Sequence, residues 1–281
     1  MRTGVLLINL GTPLSPSVAH VRRYLREFLN DPRVIDINPI GRFFLVNGII
    51  VPFRSPKTSK LYQRLWTENG SPLLHYGKLL TEKVQQSLPK DFYVELAMRY
   101  QEPSIESALT KLKAQKIEKL VIVPLFPQYA SSSTGSTIDR VMTLLRWWYT
   151  IPEVKIISQF PTHPLFIDAF VENIKRFDIA SYDKILFSYH GLPERQVDKV
   201  YDDGKPCSDH ACDTEWNDEN RFCYKAACYA TTRALAEKLG LNKDKYEVMF
   251  QSRLGRAEWI KPYAEPRIRE LPKQGIKKVL M

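Results

Sequence analysis

The four cysteines of this 281-residue chain all lie within one short segment, with the spacing Cys207-x4-Cys212-x10-Cys223-x4-Cys228. Two pairs of thiolates can supply a complete four-sulfur shell for zinc or for an iron–sulfur cluster. Zinc knuckles usually use C-x2-C, whereas C-x4-C occurs in [2Fe–2S] proteins. The spacing therefore favours a [2Fe–2S] cluster and leaves a structural Zn²⁺ ion as the alternative.

Paired disulfides are the other interpretation of these cysteines. A chain of this length can bury a sizeable core without covalent cross-links. No apolar secretory segment is recognisable at the N-terminus, so we expect a reducing cytoplasm, where disulfides are disfavoured. The sequence thus favours a metal site over disulfides.

His190 is the principal candidate for catalysis. It follows a predicted strand, Lys184–Ser188, and precedes Gly191-Leu192-Pro193, which prevents the strand from continuing. A histidine at the end of a parallel strand can accept a proton or bind a metal near neutral pH. The alternative is a histidine that only forms a hydrogen bond within a turn.

Hydroxyl groups are concentrated in the loop at residues 127–136, between a predicted strand and a predicted helix. Such a loop can bind a carboxylate or phosphate at the helix N-terminus, or it can simply cap the helix. The chain contains neither of the glycine-rich motifs that bind nucleotide phosphates. Nucleotide binding is therefore not expected.

The segment from Arg42 to Arg54 is apolar on all sides, has basic ends and is too short to span a bilayer. Nine Arg and Lys residues and only three acids lie between His20 and Arg64. A buried core helix is one interpretation of the segment. The other is an exposed lip that enters a membrane interface or holds a flat apolar ligand with acidic ends.

Apolar strands alternate with helical patterns along the chain, which predicts an α/β fold with parallel sheets flanked by helices. The predicted strands are Gly4–Leu10, Tyr93–Met98, Leu120–Leu125, Val154–Gln159, Lys184–Ser188 and Glu247–Phe250. Ligands bind beyond the carboxyl ends of such strands, where polar and aromatic groups recur, so we expect one shared cleft. A new strand after Pro152 predicts two domains, residues 1–151 and 152–281.

The formal net charge of +10 is compatible with nucleic acid, an anionic small molecule or an anionic membrane surface. No helix-turn-helix, RRM or zinc-finger pattern is present to place the charge in a groove. We therefore expect no nucleic-acid partner. No stretch approaches the roughly 20 apolar residues of a membrane-spanning helix.

Four sequence blocks in order resemble the ferrochelatase family. They are residues 7–13 (LINLGTP), 126–136 (FPQY and SSTGS), 187–193 (FSYHGLP) and 251–255 (QSRLG) with Trp259. The resemblance implies two Rossmann-like domains with a porphyrin between them. It also implies insertion of Fe²⁺ into protoporphyrin IX, a step of haem biosynthesis.

The resemblance assigns roles to particular residues. His190 matches the histidine that abstracts pyrrole protons or ligates the incoming iron. The residues that match positions lining the macrocycle are Leu10, Phe44, Ile49, Phe53, Tyr129 and Trp259. Arg54, Ser71 and Arg99 match polar positions near the propionates or the floor of the site.

The cysteine segment resembles that of the bacterial members with an internal four-cysteine [2Fe–2S] segment, so the resemblance strengthens iron–sulfur over zinc. It also implies a cytoplasmic protein in peripheral contact with the inner membrane, where porphyrins are delivered. The oligomeric state stays open.

The last residues, 274–281, predict the start of a further strand. By resemblance, the family's active-site glutamate follows that strand, so we expect residues 1–281 to be incomplete and to insert iron slowly or not at all. Three alternatives remain: a ferrochelatase for coproporphyrin III, a non-catalytic porphyrin or haem carrier with an iron–sulfur cluster, and a redox- or iron-sensing cluster protein.

Overall fold

The computed structural model describes residues 1–253, 255 and 257–281. The chain forms two compact units. The first contains residues 1–126 and 131–159, and the second contains residues 127–130 and 160–281. Each unit is an α/β structure with one sheet.

The sheet of the first unit has four strands in the order β2-β1-β3-β4. All neighbouring strands are parallel. The strands are β1 (Thr3–Gly11), β2 (Phe92–Tyr100), β3 (Lys119–Pro124) and β4 (Glu153–Ile156). The central strand β1 is apolar on both faces because helices cover both sides of a parallel sheet, and its side chains from Val5 to Ile8 are buried.

The first unit contains six α-helices, whose bounds are α1 (Val18–Leu29), α2 (Pro39–Phe44), α3 (Val51–Leu65), α4 (Pro72–Ser87), α5 (Ile105–Ala114) and α6 (Ser136–Leu145). A π-helical turn, Leu45–Ile50, joins α2 to α3, and another, Ser131–Gly135, precedes α6. Ser17 caps α1 by accepting a hydrogen bond from the backbone N–H of His20.

The sheet of the second unit has the order β6-β5-β7, again with parallel neighbours. Its strands are β5 (Lys184–His190), β6 (Tyr246–Gln251) and β7 (Val279–Leu280). The α-helices are α7 (Pro164–Ile174), α8 (Glu194–Asp198), α9 (Tyr224–Leu239) and α10 (Ala264–Glu270). Two parallel sheets flanked by helices confirm the predicted fold class.

Strand β4 pairs with β3, so it belongs to the sheet of the first unit. The sequence placed a domain boundary between residues 151 and 152, just before this strand, whereas the compact units divide after Gln159. Sequence pattern detects a new strand but not the sheet that it joins, since pairing is a tertiary property.

None of the helices in the described residues is both long enough and apolar enough to cross a bilayer.

Candidate active site and cysteine cluster

His190 is the last residue of β5 and pairs with Gln251, the last residue of β6. The backbone N–H of Gly191 donates to the carbonyl of Gln251 at 2.8 Å, which continues the parallel pairing one residue further. The histidine is thus held at the carboxyl edge of the second sheet, where ligands bind in α/β folds.

The loop after His190 is tied to the segment that carries Trp259. Pro193 and Trp259 form an antiparallel bridge, and the N–H of Ile260 donates to the carbonyl of Leu192 at 2.9 Å. As a result the ring centroids of His190 and Trp259 lie 6.4 Å apart, with the planes inclined by 63°. The structure therefore brings together two predicted site residues that are far apart in sequence.

Gly191 permits this close approach. A Cβ atom at this position would lie 2.9 Å from the carbonyl oxygen of Gln251 and 3.2 Å from Cε3 of Trp259. Both distances are shorter than ordinary carbon contacts, and the nearer atom belongs to the backbone. Any larger residue would push the Trp259 segment away from β5.

Although His190 is solvent-accessible, the surrounding protein still desolvates its imidazole. Desolvation disfavours the charged form and lowers the pKa of His190 below its ordinary value of 6.5. The ring is therefore neutral at pH 7, the form that can accept a proton or ligate a cation.

At the carboxyl end of β2, in the first unit, Arg99 and Tyr100 belong to a buried polar network centred on Asp31. One carboxylate oxygen of Asp31 accepts hydrogen bonds from Arg99 Nη2 at 2.6 Å, from Tyr100 Oη at 2.9 Å and from Ser136 Oγ at 2.6 Å. The Arg99 Nε also donates to Ser136 Oγ at 2.7 Å. The four side chains satisfy one another, so this network is preorganised.

Asp31 is the residue of this network that sequence reasoning missed. It lies in the loop between α1 and α2, outside any motif, and its side chain is only 3% exposed. Buried carboxylates need partners, yet nothing in the sequence indicates that Asp31 is buried. Arg99 was predicted near the propionates or the floor of the site, and this stays a prediction; the structure shows its guanidinium held by Asp31.

The tyrosine of the network has a strongly raised pKa. Burial is the main cause, and the nearby Asp31 carboxylate adds to it, so the pKa of Tyr100 lies well above 10. Tyr100 is therefore a hydrogen-bond donor at all physiological pH values.

The end of β1 carries Leu10 and Gly11 next to this network. Gly11 has φ of +123°, and a Cβ there would lie 2.1 Å from the carbonyl oxygen of Tyr100. Only glycine fits such a position. Leu10 is partly buried and packs against the cluster that contains Tyr100. Ser71, buried at the start of α4, accepts a hydrogen bond on its carbonyl from the N–H of His75 at 2.9 Å.

The apolar segment is an exposed helical surface rather than a buried core helix. Val46 and Val51 face inward and are fully buried, while Phe44, Ile49 and Phe53 are exposed, Phe53 to 72%. Phe43 and Ile40 are exposed on the same segment, which we call the apolar lip (residues 40–53). Arg54 follows the lip on α3 and is also exposed. Large exposed apolar side chains at this density indicate a binding surface.

Tyr129 lies in the second unit, in the short stretch at residues 127–130. Gln128 anchors this stretch by donating from Nε2 to Thr231 Oγ1 on α9 at 2.9 Å. The ring of Tyr129 contacts that of Phe222 edge to face at a centroid distance of 5.4 Å. Phe222 immediately precedes Cys223, so a predicted macrocycle contact rests directly on the cysteine segment.

The cysteine cluster has three members in mutual contact. The Sγ atoms of Cys207 and Cys223 are 3.4 Å apart, and each lies 3.6 Å from Sγ of Cys212. Four free, buried thiols are present. Cys228 is completely buried on α9 but does not join the group whose ligand atoms lie within 4.8 Å of one another. All four cysteines are free thiols, so the structure does not show the disulfide pairing that was the alternative.

Hydrogen bonds decide which thiol of the trio ionises first. Cys223 accepts from the thiols of Cys207 and Cys212 and from the backbone N–H of Ala226, and these bonds lower its pKa. The same contacts, together with burial, raise the pKa of Cys207. Placing several negative thiolates at these distances requires a cation, because like charges in a buried site repel.

Leu254, part of the fourth sequence block, lies outside the described residues. Its neighbours Gln251, Ser252 and Arg253 are described and are exposed at the end of β6.

Comparison with known proteins gives one consistent result. A sequence model of the family described as "Ferrochelatase" matches residues 2–281. A protein of Coxiella burnetii (strain Dugway 5J108-111), named "Ferrochelatase", is 45% identical over 289 residues, covering 100% of this chain and 78% of the relative. A "Ferrochelatase" of Legionella pneumophila (strain Paris) is 45% identical over 281 residues, covering 100% of this chain and 83% of the relative.

Proposed function

The chain belongs to the ferrochelatase family, and on this premise we propose that it inserts Fe²⁺ into protoporphyrin IX to form protohaem. The family resemblance predicted from the motifs is thereby confirmed. Members are metal chelatases of haem biosynthesis with a porphyrin and Fe²⁺ as substrates; protoporphyrin IX as the porphyrin and assignment to the lyases are parts of the proposal. The observation that carries it is the neutral, desolvated His190 held beside Trp259.

His190 is proposed as the catalytic residue. Two pyrrole N–H bonds must break before the porphyrin can offer four nitrogens to iron, and each proton needs an acceptor. A neutral imidazole with a lowered pKa accepts such a proton, or ligates the incoming Fe²⁺, without first losing a proton of its own. Trp259, at 6.4 Å between ring centroids, supplies a flat apolar face beside the reacting group.

The remaining porphyrin contacts are proposed from the family positions and from exposure. Phe44, Ile49 and Phe53 on the apolar lip offer side chains that a macrocycle would remove from water. Leu10 and Tyr129 add apolar and aromatic contacts. Arg54, Ser71 and Arg99 are the polar partners, with Arg54 exposed for a propionate and Arg99 fixed by Asp31 in the floor. The domain assignment, residues 1–151 for the lip and 152–281 for His190, stays a prediction.

Cys207, Cys212, Cys223 and Cys228 are proposed to hold a [2Fe–2S] cluster, with structural Zn²⁺ as the alternative. Three buried sulfurs separated by 3.4 to 3.6 Å suit ligands that share a metal centre. Cys228, buried near the start of α9, is proposed as the fourth ligand. A bound cluster would supply a structural cross-link or a redox- and iron-sensitive element.

Peripheral attachment to the inner membrane surface, from the cytoplasm, completes the proposal. The apolar lip combines exposed aromatic rings with a basic neighbourhood of nine Arg and Lys residues between His20 and Arg64. Apolar side chains surrounded by cationic groups bind anionic interfaces. No nucleic-acid partner is proposed.

The test is anaerobic turnover with Fe²⁺ and protoporphyrin IX, followed by the Soret and Q bands and paired with porphyrin titration. Formation of haem that is lost in His190→Ala supports the proposal. Single-turnover conditions with excess protein are used. Tight binding without any insertion favours the carrier, and stronger binding and faster insertion with coproporphyrin III favour that porphyrin as substrate.

A further inference from the structure

Asp203, His210 and Glu219 form a second group of metal-ligating side chains in the cysteine segment. Each offers one donor atom, and the three atoms lie within 4.8 Å of one another. Nε2 of His210 is 3.6 Å from Asp203 Oδ1, and Nδ1 of His210 is 3.3 Å from Glu219 Oε1. Neither the metal-insertion site at His190 nor the four-cysteine site uses these residues.

The imidazole of His210 is the part of this group that points to a ligand. Its side chain is only 9% exposed, and Nε2 has no hydrogen-bond partner among the described residues. Leaving a buried polar atom unpaired costs about 1–3 kcal/mol. A cation bound at Nε2, with the Asp203 carboxylate 3.6 Å away, would satisfy this buried nitrogen.

Tyr201 holds the ring in place. The Tyr201 and His210 rings stack with centroids 3.7 Å apart and an interplanar angle of 7°. The backbone fixes the same residue, since the N–H of Cys212 donates to the carbonyl of His210 at 2.8 Å. The ligand nitrogen is therefore preorganised, while the two carboxylates remain exposed and adjustable.

We propose that Asp203, His210 and Glu219 bind one divalent transition-metal cation, with water completing its coordination shell. Imidazole together with carboxylates suits Fe²⁺, Zn²⁺ or Mn²⁺ and discriminates against Cu(I), which prefers thiolates. Donors about 2.1 Å from one ion can be separated by up to about 4.2 Å. A small movement of Asp203, and rotation of the exposed Glu219 side chain from the Nδ1 side to the Nε2 side of the ring, bring both carboxylates to the ion.

Charge supports the same conclusion. Between Asp202 and Arg221 the chain carries seven acids and two basic residues, although its net charge is +10. Such a local excess of negative charge concentrates cations at the surface. The site does not depend on the proposed function, because its residues and its test are separate from porphyrin metalation.

The experiment titrates the purified 281-residue chain with Mn²⁺ and follows the free ion by electron paramagnetic resonance. Mn²⁺ is chosen because it prefers carboxylate and imidazole donors over thiolates, so the cysteine trio contributes little. The variants are His210→Ala and Asp203→Asn. Asparagine keeps the oxygen that accepts the N–H of Lys205 at 3.0 Å, so the local turn is retained.

The matched control is Asp218→Asn. Asp218 is next to Glu219 in sequence, is fully exposed and pairs only loosely with Arg221, at 3.9 Å. The variant therefore removes one charge from the segment without removing a ligand. Circular dichroism and cysteine metal content are compared across all four proteins to establish equal folding.

We expect the parent chain and Asp218→Asn to bind one more Mn²⁺ per chain than the two ligand variants, or to bind it at least tenfold more tightly. Zn²⁺ or Fe²⁺ at equal concentration should displace that ion. Identical titrations for all four proteins, or no bound Mn²⁺ in any of them, overturn the proposal. If His210→Ala does not fold, the comparison of Asp203→Asn with Asp218→Asn decides alone.

Discussion

The edge strand β2 and the central strand β5 both end at the carboxyl edge of a parallel sheet, but the polar groups at their ends have different surroundings. At the end of β2, Arg99 and Tyr100 are paired with Asp31 and Ser136 in a closed network. At the end of β5, desolvation lowers the pKa of His190, and an aromatic ring lies beside it. A satisfied network gives rigidity, whereas a desolvated base gives reactivity.

The comparison also separates positioning from chemistry. The carboxylate of Asp31 accepts a hydrogen bond from the guanidinium of Arg99. Arg99 therefore cannot move freely toward a ligand. The backbone of His190 is positioned by the pairing of β5 with β6 and by the loop that bridges to Trp259. Its side chain remains open to a substrate.

The largest expected effect is on the rate of iron insertion and comes from changing His190, at the carboxyl end of β5. His190→Ala should lower the rate of iron insertion by at least about 100-fold, the usual contribution of a general base. Porphyrin binding, measured by fluorescence quenching, should change by less than about threefold, since the lip is intact. His163→Ala removes an exposed histidine from the same unit and is the control. A full rate in His190→Ala would show that this end of the sheet is not the reactive one.

The next largest effect is on stability and comes from changing the Asp31 network, at the carboxyl end of β2. Asp31→Ala leaves Arg99, Tyr100 and Ser136 without their common acceptor and should lower the free energy of unfolding by about 3 kcal/mol. Urea denaturation measures the change. Glu95→Ala breaks an exposed ion pair with Lys111, 3.1 Å long, and should cost less than about 1 kcal/mol. Equal losses in the two variants would contradict the structural role given to the network.

A smaller effect tests how His190 is positioned. Gly191→Ala places a methyl group 2.9 Å from the Gln251 carbonyl and 3.2 Å from Trp259. The Trp259 segment must shift, which we expect to slow iron insertion about tenfold and to cost about 1–2 kcal/mol of stability. Gly41→Ala is the control for stability alone, because nothing lies within 4 Å of its Cβ position. An unchanged rate of iron insertion and unchanged Trp259 fluorescence in Gly191→Ala would show that the close approach at Gly191 does not position His190.

The smallest effect is on the pH profile. His190 must be neutral to accept a proton, and its pKa is lowered from 6.5. As pH falls, the protonated fraction rises, so kcat/KM should stay constant from pH 8 down to about 6.5 and decline only below that value. Measurements between pH 5.5 and 8 on the parent chain and on His163→Ala check this. A decline that begins above pH 7 would mean that the base is not a desolvated histidine.

Several elements could be predicted from the sequence to within a few residues. Strand β5 was predicted at Lys184–Ser188 and extends two residues further, to His190. Strand β1 was predicted at Gly4–Leu10 and extends one residue further at each end. These elements have unbroken apolar patterns and clear end signals, which are local properties of the chain. Helices α8 and α10 were missed because they are short and lack such patterns.

The candidate site was predicted only in part. The motifs identified His190 and Trp259. Their contact depends on the bridge between Pro193 and Trp259, which no local sequence pattern predicts. Spacing suggested four equivalent cysteines, whereas three of them meet and Cys228 stands apart on α9. Asp31 and the group around His210 carried no recognisable spacing at all. Contacts of this kind join residues distant in sequence, so they are set by packing.

The sequence by itself determined the family, the α/β class and the chemical types at the strand ends, because motif order and hydrophobic periodicity are written along the chain. Tertiary structure decided which side chains are buried, paired or exposed. The apolar lip shows the difference: its hydropathy is equally consistent with a buried helix and an exposed one. Only the inward placement of Val46 and Val51 turns Phe44, Ile49 and Phe53 toward solvent. Burial is a property of the packed molecule, and burial sets both the pKa of His190 and the closed network around Asp31.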